Sequence, residues 1–150
     1  MATPITATTI ILARHAERSS QGSTDPHLSA PGRARAQKLI HVLGTAAIKA
    51  IYTSHFIRTK ETAQPLAAHL GLSTVIIDEA SEIKNNIESN HSGKTVLVIG
   101  HTDTVPQLIS LLGGASPPVI EDDEFDNLFI VNAFGSGRAS VVRLKYGDPS

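Results

Sequence analysis

Two histidines and two arginines stand just beyond apolar segments of this sequence. Arg14 and His15 directly follow the first such segment. Arg58 comes soon after the second, and His101 directly follows a later one whose last residue is Gly100. A guanidinium group offers phosphate a planar fork of donors, and a neutral imidazole can attack phosphorus to give a covalent phosphohistidine. These residue types together indicate phosphoryl chemistry, which depends mainly on positioning and charge stabilisation.

Short apolar and β-branched runs predict the strands that hold these residues. The four strands expected in the first two thirds of the chain are Thr8–Ala13, Ile48–Thr53, Thr74–Ile77 and Thr95–Ile99. Two closing strands are expected at Leu128–Asn132 and Ala139–Tyr146, around the turn Gly135–Ser136–Gly137. An acidic stretch, 117–127, precedes them, and its carboxylates are expected to form a solvated loop.

Helical spacing and stop residues predict a helix between most pairs of strands. One begins at the cap Ser29, with Pro31 in its first turn, and ends at Gly44. The others are expected at Ile57–Leu70, which Gly71 ends, at Ala80–Asn90 and at Val105–Leu112. Strands alternating with helices predict an α/β fold: a three-layer αβα sandwich with a mostly parallel sheet. The last two strands are joined too briefly for a crossover helix, so the closing strand is expected to be antiparallel.

Ligands of open parallel sheets bind beyond the carboxyl ends of the strands. The residues after three of the strands should therefore converge on one rim. The helix N-termini that follow them would add backbone N–H groups facing the same anion. A zinc site formed by His15, His55 and His101 is the alternative, but two arginines in the same cluster would repel a divalent cation.

Four segments resemble, in order, the motifs of the histidine phosphatase superfamily, also called the phosphoglycerate mutase-like family. They span roughly residues 8–113 and are Arg14–His15–Ala16–Glu17, Leu28–Ser29–x–x–Gly32, Thr53–Ser54–x–x–x–Arg58–x–x–x–Thr62–Ala63 and Val96–Leu97–Val98–Ile99–Gly100–His101. The resemblance implies that His15 is the nucleophile and that Arg14, Arg58 and His101 complete the phosphate pocket. It also implies that the reaction needs neither metal nor cofactor.

The proton donor for the leaving group is less clearly marked. Larger members of the family use a carboxylate shortly after the third strand, and Glu82 is similar in place. Glu17 is the rival because it lies two residues from His15. A third possibility is that no dedicated acid exists, because a phosphoramidate substrate leaves as an already protonated nitrogen.

Only residues 83–100 separate this carboxylate region from the second histidine, His101, and larger relatives insert a helical roof between the two. The site should therefore be open and shallow, as in the small phosphohistidine phosphatases of the superfamily. A phosphoprotein or a phosphorylated small molecule is the expected substrate. The alternatives are a mutase-like phosphotransferase, which would need a site closed to water, and a non-catalytic phosphate-binding module.

Composition sets the remaining expectations. With 150 residues, 41% of them hydrophobic, the chain is expected to form one domain, residues 1–150. The net charge of −1 argues against nucleic-acid binding, although residues 1–70 hold eight Lys/Arg and only three Asp/Glu.

The absence of cysteine excludes disulfides and thiolate chemistry. No apolar run reaches membrane-spanning length and no leader pattern is visible, so a cytoplasmic protein that does not bind membranes is expected. The sequence does not indicate an oligomeric state.

Overall fold

A computed structural model describes residues 6–20, 23–114, 116–135 and 137–150. Gly22 and Ser136, the latter in the predicted closing turn, lie outside the described residues. The strands are β1 (Thr8–Arg14), β2 (Ile48–Thr53), β3 (Thr74–Ile76), β4 (Thr95–Gly100), β5 (Asn127–Ala133) and β6 (Ala139–Lys145). The helices are α1 (Ala30–Leu43), α2 (Ile57–Leu70), α3 (Ala80–Asn90) and α4 (Thr104–Leu111). Each predicted element is present, with ends within about one residue of those expected.

The six strands form one sheet in the order β3-β2-β4-β1-β5-β6. Strands β1 to β4 are parallel, whereas β5 runs antiparallel to both of its neighbours, β1 and β6. The predicted antiparallel pairing of β5 with β6 is confirmed. Because β5 also pairs with β1 antiparallel, β6 points in the same direction as the first four strands.

Helices cover both faces of the sheet, as the α/β prediction required. On one face, α3 and α4 pack against strand residues such as Ile10, Tyr52 and Phe129. On the other, α1 and α2 pack against alternate residues such as Ile11 and Leu97. Alternate side chains of the inner strands thus enter opposite cores, whereas β6, at the edge of the sheet, is largely exposed.

Local sequence explains where the helices begin and end. The Ser29 hydroxyl accepts from the backbone N–H of Gly32 and caps α1. Gly71 ends α2 with φ +69°, a left-handed conformation that side chains rarely adopt. In the part of the chain that the structure describes, no helix has the length and apolar character needed to cross a bilayer.

Candidate active site

The carboxyl ends of β1, β2 and β4 meet at one rim of the sheet. Arg14 lies opposite Gly100 in the β1–β4 register, and the His15 backbone N–H donates to the Gly100 carbonyl at 2.9 Å. This pairing brings the rings of His15 and His101 to a centroid distance of 5.3 Å. Two histidines far apart in the sequence are thus neighbours because their strands are adjacent and parallel.

A cavity of about 670 Å³ opens at this rim. Its lining includes the four residues predicted to form the phosphate pocket: Arg14, His15, Arg58 and His101. A smaller cavity of about 380 Å³ is lined by residues such as Thr8, Ile87 and Leu112. The described residues that line this smaller cavity include no arginine or histidine, so it lacks the imidazole and guanidinium groups of the larger one.

His15 is 3% exposed, and its ring nitrogen Nδ1 makes a hydrogen bond within the protein. Its Nδ1 lies 2.8 Å from the carbonyl oxygen of Ala16. A carbonyl oxygen only accepts, so Nδ1 carries the hydrogen and Nε2 keeps its lone pair. Burial, reinforced by the positive charges of Arg14 and Arg58, lowers the pKa of His15 from 6.5 to about 3. The ring is therefore neutral near pH 7, the state in which imidazole is a nucleophile.

The loop that carries His15 is held by α1 and α2. Thr62 of α2, which is fully buried, accepts from the Ala16 backbone N–H at 2.9 Å and donates to the Arg58 carbonyl at 2.7 Å. On the other side, α1 approaches so closely at Gly32 that a Cβ there would collide with the carbonyl of Glu17. The Ser29–x–x–Gly32 segment thus supports the loop by close packing as well as by capping.

Arg14 is anchored from a distant part of the chain. Its Nη1 donates to the carbonyls of Asp122 and Glu124 at 2.8 and 2.7 Å, and more weakly to that of Glu121 at 3.3 Å. The Phe125 ring packs 4.0 Å from its guanidinium carbon. The prediction that the carboxylates of this stretch are solvated holds for Glu121, Asp122 and Asp123, which are exposed. It is wrong for Asp126, which is buried and accepts a hydrogen bond from Lys145.

Among the residues that the structure describes, three guanidinium nitrogens at the site are buried and have no hydrogen-bond partner. They are Nε of Arg14 and both Nε and Nη1 of Arg58. Burial lowers the pKa of both arginines, so their charges are poorly solvated. Buried donors are nearly always paired in proteins, and charged ones are the costliest to leave unpaired. The geometry therefore fits an oxyanion held between Arg14 and Arg58.

His101 is held in place by hydroxyl groups. Its Nε2 lies 2.9 Å from Ser54 Oγ, which lies 2.9 Å from Thr59 Oγ1. Its backbone N–H donates to Thr104 Oγ1 at 2.9 Å. Burial first, and then the nearby charge of Arg58, lower the pKa of His101 from 6.5 to about 4. An oxyanion beside this ring would shift its pKa in the opposite direction and favour a protonated donor.

Glu82 and Glu17, the two carboxylates that the sequence suggests as proton donors, lie in different surroundings in the structure. Glu82 lies in the first turn of α3, exposed, and is not among the residues lining the cavity. Glu17 accepts two hydrogen bonds from Arg35, at 2.8 and 3.0 Å. Burial works against ionisation of Glu17, but these bonds hold its pKa below the usual value, so it is a poor donor near pH 7. Asp78 and Glu79 are the carboxylates after β3 that line the cavity.

Sequence reasoning did not select several of the residues now seen at the site. Phe56 packs against both Arg58 and His101: the guanidinium carbon of Arg58 is 4.4 Å from its ring centroid, and the centroid of the His101 ring is 5.3 Å away. Asp78 lines the cavity beside His55. An aromatic residue one position after Ser54–His55 was a usable signal for Phe56, whereas nothing local marks Phe125.

The described residues do not form a site for a divalent metal. Within residues 6–20, 23–114, 116–135 and 137–150, no group of three or more His, Asp or Glu side chains is placed to bind an ion. The Nδ1 atom of His55, one of the three ligands in the zinc alternative, faces the carboxylate of Asp78.

Comparison with known proteins gives the family. The model of the histidine phosphatase superfamily (branch 1) matches residues 10–86, just over half of the chain, and the protein belongs to this superfamily. The matched segment contains Arg14, His15 and Arg58, whereas His101 lies beyond it. No curated protein matches the sequence.

Solved structures share the fold over nearly the whole chain. The protein histidine phosphatase SixA complexed with tungstate superposes with a TM-score of 0.75 at 19% identity, covering 91% of this chain and 96% of its own. A mycobacterial glucosyl-3-phosphoglycerate phosphatase gives a TM-score of 0.75 at 15% identity, covering 94% and 100%. YhfR from Bacillus stearothermophilus gives a TM-score of 0.72 at 22% identity, covering 96% and 98%.

Proposed function

We propose that this protein is a metal-independent phosphatase that acts through a covalent phosphohistidine on His15. The observation that carries the proposal is the set of unpaired, buried guanidinium nitrogens of Arg14 and Arg58 beside a neutral histidine. In this mechanism Arg14, Arg58 and His101 hold the phosphate oxygens. His15 Nε2 attacks phosphorus, the leaving group departs, and water then hydrolyses the phosphohistidine.

The two arginines and the two histidines have complementary roles. The arginines supply fixed positive charge, which needs no reorganisation when charge develops on the transferring group. His15 is prevented from protonation by burial and by the same cations, so its nucleophilic form predominates. His101, whose ring lies 5.3 Å from that of His15, gains a proton as the phosphate enters and then donates to it.

The shape of the site favours a phosphoprotein or a small phosphomonoester as substrate. The link from α3 to β4 is only residues 91–94, so the chain has no inserted roof there. The His55 side chain at the cavity is 58% exposed. A site with this much access admits a phosphoryl group that is carried on a larger surface. The fold is shared with a protein histidine phosphatase and with a phosphatase of a phosphorylated sugar derivative, and both substrate classes belong in a screen.

A single variant tests the mechanism. His15→Asn keeps a side-chain N–H near the position of Nδ1, so the hydrogen bond to Ala16 can be retained while the nucleophilic nitrogen is lost. We expect no turnover of nitrophenyl phosphate and no acid-labile phosphoenzyme, with an unchanged circular dichroism spectrum. His41→Asn, on an exposed position of α1, is the matched control and should behave like wild type.

The competing outcomes are distinct. Wild-type turnover in His15→Asn would contradict the mechanism outright. A phosphoenzyme that passes its phosphate to an added alcohol faster than to water would instead indicate a phosphotransferase. Tight binding of phosphate by a wild-type protein that turns over no substrate would indicate a binding module.

A further inference from the structure

His55 and Asp78 form a fixed pair at the mouth of the cavity. His55 follows β2 and Asp78 follows β3, and these strands are parallel neighbours in the sheet. The His55 backbone N–H donates to Asp78 Oδ1 at 2.8 Å, and both carboxylate oxygens lie 2.9 Å from His55 Nδ1. Backbone and ring are therefore both held by one carboxylate.

This pairing determines which nitrogen of His55 is available. An ionised carboxylate only accepts, so Nδ1 is the donor, and Nε2 is the ring nitrogen that is not bound to Asp78. Asp78 is kept ionised because the backbone and ring donors of His55 lower its pKa. A histidine oriented by a carboxylate in this way is the arrangement used by general acids and bases in many enzymes.

The His55 ring is connected to the phosphate pocket through Phe56. Its centroid is 4.1 Å from that of Phe56, and Phe56 also contacts His101 and Arg58. One aromatic ring thus links His55 to the groups that hold phosphate. His55 and Asp78 line this cavity and are half exposed, so a leaving group that extends from a phosphate held by the arginines toward solvent would pass beside them.

We propose that His55 donates the proton to the leaving-group oxygen and that Asp78 is its positioning residue; this role rests on the function proposed above. As the bond from His15 Nε2 to phosphorus forms, the bond from phosphorus to the leaving oxygen breaks. The proton on His55 Nε2 passes to that oxygen, which leaves as an alcohol, and His55 becomes neutral. Water then attacks the phosphohistidine: its oxygen bonds to phosphorus as the bond from phosphorus to His15 Nε2 breaks and the electron pair returns to that nitrogen. One proton of the water returns to His55 Nε2 and the other stays on the inorganic phosphate.

The carboxylates near the site are weaker candidates for this step. Glu82 is exposed and outside the cavity lining, and Glu17 is bound by Arg35. Glu79 does line the cavity, and its side chain makes no capping bond to α3. Glu79 is therefore a rival and is included in the test.

The experiment measures phosphoenzyme formation by rapid quench on two labelled substrates, an alkyl phosphate and a nitrophenyl phosphate. Nitrophenolate departs without a proton, whereas an alkoxide does not. We expect His55→Gln to slow phosphoenzyme formation from the alkyl phosphate by about 10²–10⁴-fold, the usual span for acid catalysis, and from the nitrophenyl phosphate by less than about tenfold. Asp78→Asn should show the same selectivity with a smaller loss. Glu79→Gln tests the rival, and Glu82→Gln, at an exposed position outside the cavity lining, is the control. Neither variant should slow the alkyl phosphate selectively.

The outcomes separate this role from the mechanism on which it rests. Equal loss on both substrates in His55→Gln, or no loss on either, would overturn the role while wild-type phosphoenzyme formation upheld the mechanism. Selective loss in Glu79→Gln or Glu82→Gln would overturn it in favour of that carboxylate. Failure of the wild type to form any phosphoenzyme would refute the proposed function and, with it, the role of His55.

Discussion

Removing the His15 imidazole should change how the stability of the protein depends on pH. The ring is 3% exposed and its pKa is lowered from 6.5 to about 3 in the folded state, chiefly by burial. In the unfolded chain the same ring titrates near its ordinary value. Between these values the unfolded state binds a proton that the folded state does not, so acidification favours unfolding. The stability contributed by neutral His15 is complete above about pH 6.5 and is lost as the pH falls toward 3.

The size of the effect follows from the two pKa values. Each pH unit over which only the unfolded state is protonated costs about 1.4 kcal/mol. From about pH 7 to about pH 5 the ring in the unfolded chain becomes almost fully protonated while the folded ring stays neutral. This difference lowers the free energy of unfolding by about 2 kcal/mol through His15 alone.

Urea unfolding of wild type and His15→Asn at about pH 7 and about pH 5 measures this contribution. The decrease in the free energy of unfolding between the two pH values should be smaller in His15→Asn by about 2 kcal/mol. His41→Asn removes an exposed histidine and controls for the loss of an imidazole as such. If His15→Asn and wild type lose the same stability within about 0.5 kcal/mol, His15 is not held neutral, and the argument for its nucleophilic form is wrong.

Three further predictions address the metal, the phosphate pocket and its support. Hydrolysis of nitrophenyl phosphate should survive excess EDTA, because guanidinium groups carry the phosphate charge; loss that added zinc restores would revive a histidine-based metal site. Arg58→Lys should lower kcat/KM by about 10²-fold, because lysine keeps the charge without the forked donors, whereas the exposed control Arg138→Lys should not. An Arg58→Lys variant close to wild type would mean that Arg58 acts only as a distant charge. Arg35→Ala should lower the free energy of unfolding in urea by about 3 kcal/mol, because Arg35 is 4% exposed and binds Glu17 and the carbonyls of Tyr146 and Asp148. Lys38→Ala, at an exposed position of the same helix, should change it by less than about 0.5 kcal/mol, and an equal loss in both variants would remove the special role of Arg35.

Much of the fold was readable from local signals in the sequence. Runs such as Thr95–Ile99 are apolar over the length of a strand, and residues such as Ser29 and Gly71 mark helix ends through their own hydrogen-bonding and backbone preferences. The prediction that His15 and His101 lie close together also follows from the sequence, because the carboxyl ends of parallel strands lie at the same edge of a sheet. These features depend on residue type and short spacing, which a sequence displays directly.

Only the tertiary structure decided which residues complete the site. The carbonyls and the aromatic ring that hold Arg14 come from residues 121–125, far along the chain, and no local pattern links the two segments. Glu17 looked available two residues from His15, yet Arg35 occupies its carboxylate. Glu82 had the expected spacing after β3, yet the strand's carboxyl end places Asp78 at the cavity beside His55. Contacts of this kind depend on how helices and loops pack around the sheet, and packing is a property of the whole chain.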